Sequence, residues 1–319
     1  MGLRLRVRES EWLRGVAASA ADRPGLIPVV KGNGYGFGRL TLMPIAAGLA
    51  DHIAVGTVYE ARDVPADRTP LVLTPHIGCL PDHLPATAVL TVGNVDHVAA
   101  LAGQGWCGEL AVKLLSSMRR HGASPFELAD LLAAIQSADS SVASFSIHLP
   151  LAGDDLARID QIEGWLPHLA PITPLLVSHL STHAYRDLCG RHPDRSFRIR
   201  VGTVLWHGDK SQFDLTADVV DIHPVHAGEL VGYRDAVVPA AGTIVVVAAG
   251  SAHGVRAIDD GRSPFHFQRR RLTLLEPPHM HTSLVFVPDG DSLPTLGDRI
   301  DVQRPLITTS IDELEWVRD

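Results

Sequence analysis

The chain has 319 residues, 45% of them hydrophobic, and a formal net charge of −8. That is enough apolar material for a barrel plus a second domain, and it excludes disorder as the dominant state. The acidic balance argues against a general nucleic-acid binder, which needs a basic face.

The first ten residues, MGLRLRVRES, alternate apolar residues with arginine. They read as a strand and lack the apolar core of a signal peptide. Short apolar runs of β type then recur at residues 27–31, 53–57, 71–74, 88–92, 110–115, 142–148, 174–179 and 198–203. Between them lie helix-compatible stretches, such as SPFELADLLAAIQSA at 124–138, with helical spacing and a Ser–Pro start. This alternation predicts an α/β fold, an N-terminal (β/α)8 TIM-type barrel, with a doubly wound sheet as the alternative from pattern alone. After WHGDKSQFDLTADV (206–219) the character changes, and strand-like runs follow at 242–250, 270–276, 282–287 and 298–303 without a long helix pattern. The expected division is a barrel over residues 1–214 and a β-rich C-terminal domain over 215–319, which the first strand can join. Cys79, Cys107 and Cys189 show no CxxC spacing, so the expected setting is a reducing compartment, the cytoplasm. No apolar run is long enough for a membrane span.

In a barrel of this type the site lies where the strands end at their C-termini. Polar residues expected there are Lys31, Lys113, His148, the segment from Ser178 to Thr182, and Arg200. Strand ends also collect polar side chains simply because they face solvent. Lys31 stands out because it closes an apolar run and opens the glycine-rich turn KGNGYGFG. A lysine at the rim of an apolar strand is partly desolvated, which lowers its pKa and frees the amine for Schiff-base chemistry, with pyridoxal phosphate among the partners. The glycines let backbone approach a bulky ligand. The competing reading is a flexible loop with a snorkelling lysine.

VVKGNGYGFG (29–38) resembles the pyridoxal-lysine segment of the alanine racemases, with Val29, Val30, Lys31, Asn33, Tyr35, Gly36 and Gly38 matching. The resemblance runs along the chain, weakly between motifs. It implies a fold-type III protein that binds pyridoxal 5'-phosphate through Lys31, with Lys31 also moving a proton and Tyr35 holding the phosphate. KLLSSMRRHG (113–122) is similar to the family segment that places Arg120 at the cofactor's phenolic oxygen, supported by Lys113. FSIHLPLAG (145–153) resembles the segment whose histidine, here His148, lies against the ring. VSHLSTHA (177–184) occupies the phosphate turn, which makes Ser181 and Thr182 candidate ligands although the family's Asn-Ser pair is absent. RVGT (200–203) places Arg200 at the pyridine nitrogen and Gly202 and Thr203 at the phosphate. A guanidinium does not give up its proton, so the ring stays a weak electron sink and reprotonation at Cα is favoured over transamination.

The family's second base is a tyrosine of the C-terminal domain, contributed across a dimer. In GTIVVVAAGSAHG (242–254) that position falls on Ala248, or on Ser251 with a three-residue insertion. Tyr233 matches a different family tyrosine. His253 is the expected replacement acid/base. PPHMHTSLV (277–285) places Met280 where the family uses backbone to bind the substrate carboxylate. His279 and His281 resemble the paired ligands of metal-dependent relatives, although no metal is expected. The overall expectation is a homodimeric amino-acid racemase with a shared site, acting on a small amino acid. The alternatives are a low-turnover cofactor-binding carrier or regulator, and a metal-assisted lyase of D-hydroxy amino acids.

Overall fold

The computed structural model describes residues 2–318. The chain divides into two compact units: one takes the chain up to Arg14, Tyr35–Phe37 and everything from Asp209 onward, the other Gly15–Gly34 and Gly38–Gly208.

The second unit is the barrel. Its strands are β2 (Leu26–Pro28), β3 (His52–Val55), β4 (Thr69–Val72), β5 (Val89–Val92), β6 (Glu109–Leu114), β7 (Ser141–Ile147), β8 (Leu175–Ser178) and β9 (Phe197–Val201), following β1 (Leu3–Arg8) of the other unit. They run in the order β2-β9-β8-β7-β6-β5-β4-β3, all in parallel. Val29 bridges to Ala54 in parallel and closes the ring. The eight apolar runs expected as strands are these eight strands. They carry near-continuous apolar sequence because both faces are covered, as in β5, where all four residues are buried.

Helices return the chain where the sequence has a single apolar stripe. In α4 (Leu128–Ser137), Leu128, Leu131 and Ile135 are buried at i, i+3 and i+7. It begins later than its Ser–Pro signal suggests, because Ser124 uses both its N–H and its hydroxyl on the Glu127 carboxylate and holds a turn instead. Side-chain caps from Asn94, Asp154 and Ser181 open α3 (Val95–Ala102), α5 (Asp155–Trp165) and α6 (Thr182–Arg191). Between β3 and β4 the chain makes only a 3₁₀ turn at Ala61–Asp63. Between β4 and β5 Pro75, Pro81 and Pro85 punctuate an irregular crossover. The longer crossovers therefore lie in the second half of the barrel, apart from α2 (Arg39–Leu49) after the lysine turn.

The other unit is β-rich. Its long strand β10 (Phe213–Val225) pairs antiparallel with β1, with β13 (Gly242–Val247) and with β18 (Arg299–Val302). β17 (Ser283–Pro288) pairs with β13 in turn, and β19 (Glu313–Val317) pairs in parallel with β1. Shorter strands, β11 (Leu230–Val231), β12 (Ala236–Val237), β14 (Phe265–Phe267), β15 (Arg270–Arg271) and β16 (Thr273–Leu274), fill the edges. Leu3, Val219, Val245, Val247, Val285 and Ile300 form its core. A second apolar group joins it through the lysine motif: Phe37 packs its ring 4.9 Å from Trp12 and 5.6 Å from Phe213. Among the described residues no helix is long and apolar enough to cross a membrane.

Candidate active site

Lys31 follows a strand end that is bonded on both sides. Val29 donates to the Val201 carbonyl at 2.9 Å and Val30 to the Ala54 carbonyl at 2.8 Å. The chain then turns, with the Gly34 N–H on the Lys31 carbonyl at 3.0 Å. Gly32 and Gly34 have φ of 60° and 63°, and a Cβ on Gly34 would lie 2.4 Å from the Arg39 nitrogen. Only glycine fits that approach. The Glu60 carboxylate accepts from the Gly32 N–H at 3.1 Å and from the Gly56 N–H at 2.7 Å, tying the turn to the end of β3.

Around the amine the barrel mouth is cationic. Partial burial lowers the Lys31 pKa, the Arg120 and Arg200 guanidiniums lower it further, and Glu60 opposes them. Lys113, buried on β6, is pushed well below the usual lysine range by burial and by Arg200, Arg120 and Lys31. Its Nζ lies 3.5 Å from the Ser146 hydroxyl. Arg200 on β9 is buried to 6% exposure and donates to the Ile147 carbonyl, while its Nε is buried without a partner among the described residues. Burial, with Arg120 beside it, brings Arg200 down to about 10.

His148 sits at the end of β7, with Nδ1 2.9 Å from the Ser178 hydroxyl. The Leu149 N–H donates to the same oxygen at 3.4 Å. Burial and the neighbouring Arg200 and Lys113 lower His148 to about 2, so it stays neutral at any working pH. His179 follows at φ 62°, its ring edge-on to His148 at 4.7 Å between centroids. Burial, then Arg200, Arg158 and Lys31, lower it to about 4. Sequence reasoning placed His179 within the polar segment after strand β8 but gave it no role.

The remaining expected residues are dispersed. Tyr35 is buried, in a left-handed conformation at φ 57°, and belongs to the unit that contains Phe37. Arg120 is exposed in the loop after β6. Ser181 caps α6 by accepting from the Ala184 N–H at 3.2 Å. Its own N–H is directed at the Asp155 carboxylate, at 3.3 Å, so this donor of the turn is already taken. Thr182 begins α6, and Gly202 precedes the short helix α7 (Thr203–Trp206).

In the β-rich unit His253 is buried to 7% exposure. Its Nδ1 accepts from the Gly250 N–H at 3.0 Å and its Nε2 meets the Asp312 carboxylate at 3.0 Å. The same carboxylate oxygen accepts from the Leu3 N–H at 2.7 Å. Both ring nitrogens are engaged, and the imidazole clamps the turn at 250–254 to the chain termini of the sheet. The residue expected as the replacement acid/base is thus held by two partners within the β-rich unit. His253→Ala is expected to destabilise the protein by about 1–3 kcal/mol, because the buried Gly250 N–H loses its partner and the tie to Asp312 is cut. Urea unfolding measures it. Met280 is exposed and its carbonyl accepts from the Ala252 N–H at 2.9 Å. His279 donates to the buried Glu276 carboxylate, which also accepts from the Tyr233 and Arg234 N–H groups, each at 3.0 Å. His281 turns the other way, 5.9 Å between ring centroids from His253. Among the described residues no three His, Cys, Asp or Glu side chains stand together as a metal site.

A parallel eight-stranded barrel with a lysine closing its first strand, set among cations and joined to an antiparallel β unit, defines a class of two-unit barrel proteins. The chain belongs to the alanine racemase family: the model of the family described as "Alanine racemase, N-terminal domain" matches residues 11–209. Solved structures agree in fold. Alanine racemase from Bartonella henselae, which carries covalently bound pyridoxal phosphate, is similar with TM-score 0.76 and 16% identity, over 100% of both chains. Alanine racemase from E. faecalis gives 0.74 and 18%, over 99% of this chain and 98% of that one. The biosynthetic enzyme of Pseudomonas aeruginosa gives 0.72 and 19%, over 100% and 99%. No curated protein sequence matches the chain.

Proposed function

We propose that this protein is a pyridoxal-phosphate-dependent amino-acid racemase that interconverts the L and D forms of a small amino acid at Lys31. The observation that carries the reading is the cationic barrel mouth: Arg120 and Arg200 both lower the pKa of Lys31 and of Lys113, and Glu60 is the carboxylate that opposes them at Lys31. Such a cluster fits a ligand with several negative charges, as a phosphorylated aldehyde is. The buried Arg200 Nε without a partner is a donor waiting for an acceptor.

When bound, the cofactor supplies the aldehyde that links to the amine and a ring that withdraws electrons from Cα. Lys31 would hold it covalently and, once released as the free amine, would move a proton at Cα on one face. Both tasks need the neutral amine, and burial with the neighbouring arginines shifts Lys31 toward it. Arg200, held by the Ile147 carbonyl, would stand at the ring nitrogen without protonating it, which favours return of the proton to Cα. His148, kept neutral and oriented by Ser178, would lie against the ring. Arg120 would meet the phenolic oxygen, and Tyr35, Ser181, Thr182, Gly202 and Thr203 would surround the phosphate. Met280 would present backbone to the substrate carboxylate. Assembly as a homodimer with a shared site in the cytoplasm completes the proposal.

A second reading has its own observation. With His253 engaged at both nitrogens and no tyrosine at 248 or 251, the protein would be a cofactor-binding carrier or regulator with little turnover. Among the described residues the metal-assisted reading has no set of three ligands behind it, and His279 is committed to Glu276. The protein loaded with pyridoxal phosphate and incubated with L- or D-alanine in D2O separates the first two. Racemisation predicts loss of the α-proton signal and formation of the opposite enantiomer. Cofactor binding without exchange, across a panel of amino acids, would leave the carrier.

A further inference from the structure

Nothing in the lysine motif itself says what holds Lys31 in place or balances its charge. The structure ties the lysine turn to one side chain outside the motif, 29 positions away. The Glu60 carboxylate is mostly buried, with 14% of its side chain exposed. One oxygen accepts from the N–H of Gly32, the residue after the lysine, at 3.1 Å. The other accepts from the N–H of Gly56, at the end of β3, at 2.7 Å. Gly56 lies between the other two: a Cβ built on it would lie 2.9 Å from the Glu60 Oε2 and 3.4 Å from the Lys31 Cβ. Arg39 braces the arrangement, donating to the Gly32 carbonyl at 2.6 Å and to Asp63 at 2.7 Å, with Glu60 at 4.0 Å.

We propose that Glu60 is the positioning residue of Lys31, its carboxylate fixing the lysine-bearing turn against the end of β3 and standing as the counter-charge to the amine. Gly56 is then glycine because any side chain would enter the space the carboxylate needs. The groups whose charges act on Lys31 are Arg120 from the loop after β6, Arg200 from β9 and Glu60; Lys113 from β6 and His179 from the end of β8 feel Lys31 in turn. Glu60 alone among them is negative. It favours the ammonium, so removing its charge frees the amine at lower pH. The significance of Lys31 rests on the cofactor reading above, but the geometry and the test do not.

The test is competitive labelling of the protein with acetic anhydride over pH 6–11, read on the Lys31 peptide by mass spectrometry. Glu60→Gln is expected to move the Lys31 labelling midpoint to lower pH. Asp63→Asn, which disturbs the same network without bringing a charge to Lys31, is expected to leave it in place. Glu60→Asp keeps a carboxylate and should fall between Gln and the parent, which covers the case in which Gln folds poorly. An unmoved midpoint in Glu60→Gln, or equal shifts in Glu60→Gln and Asp63→Asn, would overturn the proposal. In a second arm, pyridoxal phosphate is titrated in and its covalent adduct followed by absorbance. Loss of one of the two acceptors that hold the turn predicts about tenfold weaker adduct formation in Glu60→Gln, measured at a pH above the labelling midpoints of both proteins. If the parent protein forms no adduct, the cofactor reading fails, while the labelling arm still decides the role of Glu60.

Discussion

Lys31→Ala is expected to abolish the visible absorbance of the cofactor-loaded protein and to slow α-proton exchange by about 10³-fold or more. The magnitude follows from two losses at one atom. On the proposed function the covalent link to the cofactor goes, and so does the proton carrier at Cα. The remaining cations are untouched, because Lys113 and Arg200 are anchored by Ser146 and by the Ile147 carbonyl rather than by Lys31. The variant should therefore still take up pyridoxal phosphate, noncovalently and more weakly. Absorbance and exchange measured side by side check this. Exchange at the parent rate in the alanine variant would place the chemistry elsewhere in the molecule.

The second large effect is the loss of stability in acid. His148 has a folded pKa of about 2 and His179 of about 4, against an ordinary value near 6.5. In both, the folded pKa is depressed, so the unfolded chain binds more protons and stability falls as pH falls below the unfolded value. The window opens near pH 6.5 and runs down through 4 for His179 and further for His148. Each pH unit in that window costs about 1.4 kcal/mol for a fully shifted histidine, with a smaller share from His179, which is partly exposed. Glu276, whose pKa is lowered by His279 and two backbone N–H groups against the effect of burial, adds acid sensitivity only below the carboxylate range. Urea midpoints between pH 7 and 5 therefore isolate the histidines. His148→Asn should flatten the slope there; an unchanged slope would mean that His148 is protonated in the folded protein.

The barrel was readable from the sequence because its strands are buried on both faces and so appear as bare apolar runs. Lys31, Lys113, His148 and Arg200 were readable for a related reason: each is a polar residue interrupting or closing such a run. The rest depended on contacts between distant positions. Glu60 sits in an unpatterned loop, and its partners, Gly32 and Gly56, lie on two different strand ends. β19 is a short run of charged and aromatic residues that becomes a strand only by pairing with β1, about 300 residues earlier, with Arg4 opposite Glu313. The partners of His253 were not readable, because neither Gly250 nor Asp312 advertises a hydrogen bond in one dimension. The α4 start was misplaced because Ser124 spends its groups on Glu127 before the helix begins.

The central claim is that the Lys31 amine is where this protein holds its cofactor. Incubation with pyridoxal phosphate, borohydride reduction and peptide mapping by mass spectrometry test it most directly. The account predicts one modified peptide, carrying the reduced cofactor on Lys31. Modification of Lys113 or Lys210 in its place, or no stable adduct at all, would contradict it.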